Sequence, residues 1–88
     1  MKITIESTEK IVSLDIREGN HGISMPARVW EGITDSGIPV HCFVTRIAPT
    51  IDPDDPANAG KFTEFERELK EQRKPSVEIA AIPLRLIL

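Results

Sequence analysis

Two arginines and a tryptophan stand at spacings that gather them if residues 27–48 fold as two adjacent strands, with a histidine on the return strand as a further candidate. Arg28 and Trp30 are two positions apart, so an extended backbone puts both on one face. Arg46 and His41 lie beyond Thr34-Asp35-Ser36-Gly37, in the return segment. A guanidinium grips phosphate or carboxylate through paired N–H donors, and an indole offers a flat face on which a base can stack. Arg28, Trp30, His41 and Arg46 are therefore the candidate residues for holding a nucleotide or small anion. Arginine stems also cover apolar surface, so the same side chains would serve a purely structural face.

Other reactive types fit ordinary structural roles better. His41 and Cys42 are adjacent, and consecutive strand residues point to opposite faces, which denies the thiol its base. Cys42 then reads as a small apolar residue beside Trp30. Counting outward from the loop puts Glu31 opposite His41, an expected cross-strand ion pair with a stabilising contribution of a few tenths to about one kcal/mol. Asp52, Asp54 and Asp55 mimic a calcium loop only at their start, because the fifth and sixth positions are Pro56 and Ala57 and the twelfth is Thr63. They read as an acidic surface loop able to meet a basic partner. No glycine-rich phosphate loop, paired zinc-ligand motif or nucleophile elbow occurs. The residues imply no enzyme, no resident metal and no cofactor.

The elements that would position these residues are mostly strands. Lys2–Glu6 alternates with period two, and Val12, Leu14 and Ile16 share a face across the polar stretch Ser7-Thr8-Glu9. Residues 2–16 therefore read as a hairpin, with residues 17–22 as a loop. Ala27–Ile33 and Ile38–Ala48 form a second hairpin, its three-residue loop closed by Gly37 in the left-handed conformation. From that loop the register follows: Glu31 faces His41, Trp30 faces Cys42, Val29 faces Phe43, and Arg28 faces Val44. Residues 49–60 hold three prolines and three aspartates and are irregular. A helix is expected over Gly60–Lys74, with an apolar stripe of Phe62, Phe65 and Leu69 and a Glu66–Lys70 ion pair. Ser76–Ile82 reads as either a Ser76-capped turn or an extended stretch, and Leu84–Leu88 as a last strand.

Length and charge bound the rest. Eighty-eight residues make one domain, 1–88, with room for a small core only. A formal charge of -3 lacks the basic footprint of a duplex nucleic-acid binder. No apolar run approaches the roughly 20 residues of a membrane helix, and the start of the chain lacks a signal-peptide stretch. A single cysteine excludes an internal disulfide and fits the cytoplasm. The expected fold class is α+β: a mostly antiparallel sheet of four to five strands with one amphipathic helix packed across it. Both faces of the second hairpin are apolar and Leu84–Leu88 is rich in aliphatics. Self-association through the C-terminal strand or the uncovered face is the expected outcome.

In the segments KITIESTEKIV, PARVWEGITDSGIPVHCFVTRIA and PSVEIAAIPLRLIL, the chain resembles short uncharacterised proteins encoded by bacteriophages and prophages of proteobacteria. No catalytic motif travels with that resemblance. It implies a phage accessory product in the host cytoplasm that binds a host component stoichiometrically and antagonises defence, in the manner of anti-CRISPR inhibitors. The alternative is a nucleotide or small-anion binder that soaks up a defence signal. The partner is accordingly a host protein or a nucleotide, with no membrane and no direct duplex contact.

Overall fold

The computed structural model describes residues 1–87, and Leu88, the end of the expected last strand, lies outside the described residues. Strand β1 runs Ile3–Glu18, β2 His21–Thr34, β3 Pro39–Val44 and β4 Arg85–Ile87, in the sheet order β3-β2-β1-β4. Helix α1 spans Lys61–Leu69 and the single turn α2 spans Val77–Ala80. The α+β class holds, with four strands. The sheet is mixed, because β4 pairs parallel to β1 while the other two pairings are antiparallel.

The β2–β3 register is the one that counting from the loop predicts: Glu31 opposite His41, Trp30 opposite Cys42, Val29 opposite Phe43, Arg28 opposite Val44. Gly37 takes φ +86° and its N–H donates to the Thr34 carbonyl at 2.9 Å, closing the turn. The segment expected to run to Ala48 leaves the sheet after Val44, so Arg46 stands just beyond the strand.

The first half differs from expectation. Ser7-Thr8-Glu9 is no turn, and residues 17–22 are not a loop. Instead β1 and β2 make one long ribbon that turns only at Gly19-Asn20, where Gly19 has φ +62°. The polar stretch forms a bulge: Ser7 pairs with Trp30 and Ile11 with Arg28, leaving Thr8, Glu9 and Lys10 opposite Val29 alone. The fully buried Thr8 side chain holds it. Its Oγ1 donates to the Val29 carbonyl at 2.6 Å and accepts from the Lys10 N–H at 3.2 Å. The bulge adds two residues, so the faces do not exchange and Val12, Leu14 and Ile16 stay together.

The core lies on that face: Val12, Leu14, Ala27, Val29 and Ile79, flanked by Met25, Phe43, Ile82 and Leu86. Its lid is α2, begun by Ser76, whose Oγ accepts from the Ile79 N–H. The expected covering helix does not perform this task. Helix α1 has no buried residue and ends at Leu69 rather than Lys74. Arg67 pairs with Glu64 and Glu71, in place of the expected Glu66–Lys70 pair. Residues 71–73 are held beyond the helix by the bulge: Ser7 Oγ donates to the Glu71 carbonyl, and Arg73 exchanges backbone bonds with Ser7 and Glu9. Among the described residues no helix is long and apolar enough to cross a membrane.

Candidate functional site

The face opposite the core carries Trp30, Arg28 and Pro26 from β2, Ile11 and Ser7 from β1, and Val44 from β3. With Arg46 and Ile47 on one side and Glu68 and Leu69 of α1 on the other, they line an open groove of about 270 Å³. Three of the four expected ligand residues, Arg28, Trp30 and Arg46, thus meet in one place. Leu69 serves this groove instead of the core. Its position and that of Glu68 depend on a connection of irregular chain, which leaves no periodic signal.

The two guanidinium groups are not equivalent. Arg28 Nη1 donates to the Thr8 carbonyl at 2.8 Å, which fixes the arginine against the bulge. Arg46 is exposed and has no hydrogen bond to the described residues. Among the described residues neither arginine has a carboxylate within ion-pairing distance. Glu68 is the one acidic side chain in the lining. The groove therefore offers two cationic forks, one of them held in place, beside an indole and aliphatic side chains. Its volume falls just under the roughly 300 Å³ at which small-molecule clefts begin.

His41 does not join this group. It projects from the other face, exposed, with its ring edge-on to Phe43 at 5.4 Å between centroids. Nor does it pair with Glu31, although the two are opposite in register. The Glu31 carboxylate turns to the C-terminal segment: Oε1 accepts from Ser76 Oγ at 2.5 Å, and Oε2 accepts from the Ser76 N–H at 3.0 Å and from Arg73 Nη1 at 3.0 Å. The carboxylate is thus held by donors from the C-terminal segment and not by the imidazole. Replacing His41 by glutamine is expected to change stability by about 1 kcal/mol or less, the worth of one aromatic edge contact. Urea unfolding of the two proteins checks this.

The acidic loop is ordered by its own carboxylates. Asp52 Oδ1 accepts from the Asp54 N–H at 2.9 Å, and Asp55 Oδ1 accepts from the Ala57 N–H at 2.9 Å, capping a short 3-10 turn over Pro56–Asn58. Buried Asn58 donates to the Asp52 carbonyl at 2.8 Å. Asp52, Asp54 and Asp55 are all exposed. Among the described residues no group of three His, Cys, Asp or Glu is arranged to hold a metal ion. Half-buried Cys42 lies opposite Trp30, and His21 is nine residues along β2 from that tryptophan, roughly 30 Å away at strand rise. That distance keeps the His21 imidazole from serving Cys42 as a base.

No family model, curated protein or solved structure matches this chain.

Proposed function

We propose that this is a non-catalytic binding protein whose groove holds a small phosphorylated ligand with a flat ring, of the mononucleotide class. The observation that carries the reading is the meeting of Arg28, Arg46 and Trp30 around one groove, with both arginines unpaired by carboxylates among the described residues. Phosphate binds the guanidinium groups and the ring lies against Trp30 and its aliphatic neighbours. In the phage setting implied by the sequence resemblance, such a protein acts by occupation. It withdraws a host nucleotide, and so blunts a bacterial defence that depends on it, in proportion to its concentration. The acidic loop makes a poorer centre for a host-protein antagonist, because two of its three carboxylates already satisfy the loop's own N–H groups.

A thermal-shift series with nucleoside monophosphates, free nucleosides and inorganic phosphate tests this. At ten times Kd, linkage stabilises the fold by about 1.4 kcal/mol, a rise in Tm of roughly 5–10 °C for a domain of this size. The monophosphate is expected to produce the largest shift, because it alone engages both the arginines and the indole. Arg46→Ala should remove most of that shift. Arg28→Ala is the less clean variant, since it also releases the Thr8 carbonyl. Equal shifts from all three ligand types, or none from any, would reject the reading.

A further inference from the structure

The chain exposes more surface than a monomer of its size should. Its accessible area is 6890 Å², against roughly 5,200 Å² expected for a folded monomer of 9.8 kDa. Its radius of gyration is 15.9 Å, against about 12 Å for a compact domain of this length. The excess of about 1,700 Å² lies within the roughly 1,000–2,500 Å² that each protomer of an obligate homodimer buries.

Part of the exposed apolar surface lies at the Gly19-Asn20 end of the ribbon, beside β4. Among the described residues β4 accompanies β1 to Asp15, and the ribbon of β1 and β2 continues to the turn at Gly19-Asn20. There Ile16 and Ile23 lie directly opposite one another on the core face, 37% and 61% exposed. A two-stranded ribbon is marginal in water unless its apolar side is covered. Beside it, Leu84 is 73% exposed and Ile87 60% exposed, and β4 is an outer strand with one edge free of any strand of this sheet. Arg17 and Glu18 bring both charge signs to the same end.

We propose that a second copy of this chain covers the overhanging ribbon end and the open edge of β4, forming a two-fold homodimer. A surface with both charge signs and its own free strand edge is self-complementary, which is what a two-fold contact requires. The excess area is of the size that one protomer of a homodimer buries. Ile16 and Ile23 face away from the Arg28–Trp30 groove, so dimerisation leaves the groove open.

Sedimentation velocity over a concentration series tests the proposal. The full chain is expected to be a dimer at micromolar concentration. Ile23→Lys should weaken dimerisation at least tenfold, while Ile38→Lys, an equally exposed isoleucine at the opposite end of the ribbon (59%), should leave it unchanged. Hydrogen exchange of residues 16–23 in the unaltered chain should slow as concentration rises, a readout that survives if Ile23→Lys fails to fold. A monomer at high micromolar concentration, exchange independent of concentration, or dissociation by Ile38→Lys but not Ile23→Lys would each overturn it.

Discussion

Replacing Gly32 by alanine is expected to cost about 3 kcal/mol or more, at the upper end of what overpacking does. A Cβ built at Gly32 runs into the Thr4 carbonyl oxygen and lies 2.7 Å from the Ile5 Cα, both backbone atoms of β1. No rotamer relieves a clash with backbone, so β1 must move away from β2. The residues displaced are Ile3–Ser7, whose pairing runs Ile3 to Thr34 through Ser7 to Trp30. The bulge begins at the end of that stretch, and Trp30 and Ser7 line the groove, so the substitution reaches the site through the strand. Urea unfolding should show a midpoint lower by about 1 M or more. An unchanged midpoint would mean that β1 does not approach β2 this closely.

Removing the Glu31 carboxylate is expected to be nearly as damaging, by a different route. Glu31 is the tie between β2 and the segment that supplies the lid, with Ser76 and Arg73 as its donors. Glu31→Ala leaves the Ser76 N–H and hydroxyl without their acceptor and frees α2, and with it buried Ile79. Hydrogen bonds to a charged group are worth more than neutral ones, but Arg73 is 43% exposed and its share is screened, so the net loss is about 2–3 kcal/mol. Burial pushes the Glu31 carboxyl up, but the Ser76 side-chain and backbone donors and the Arg73 charge outweigh it and leave the pKa below its ordinary 4.5. A carboxyl depressed by folding contributes stability that is present above its unfolded pKa and lost as pH falls through the folded one. Acid unfolding should therefore set in below about pH 4.5 in the unaltered protein, and Glu31→Gln should flatten that limb of the pH profile. An acid limb identical in the two proteins would contradict the role assigned to Glu31.

These two residues also mark the line between what could and could not be read from the chain. The β2–β3 register was legible because Thr34-Asp35-Ser36-Gly37 permits one tight loop, and alternation propagates outward from it. Arg28 and Trp30 followed from that register, and Arg46 fell near them although the strand ends first. The long ribbon was not legible. Ser7-Thr8-Glu9 has the polar composition of a turn, and the contact that makes it a bulge, Thr8 to the Val29 carbonyl, joins residues 21 apart. Glu31 misled for the same reason. Its cross-strand neighbour is His41, but its donors are 42 and 45 residues away in a segment whose conformation the sequence left open. The stripe Phe62, Phe65 and Leu69 has true helical spacing, yet periodicity says only that a face is apolar and not which sheet face receives it. The core face was already taken by Ile79, Ile82 and Leu86.

On the proposed reading, the groove between Trp30, Arg28 and Arg46 binds a nucleotide-class anion and leaves it unchanged. Isothermal titration with a nucleoside monophosphate, followed by analysis of the recovered ligand, tests it most directly. The expected result is one ligand per chain, returned intact. Arg46→Ala should weaken binding tenfold or more, the loss of at least 1.4 kcal/mol from a charge-assisted contact. Glu68→Gln, which removes the one carboxylate from the lining, should tighten it. Binding that ignores both substitutions, no binding at all, or a ligand recovered chemically altered would contradict the account.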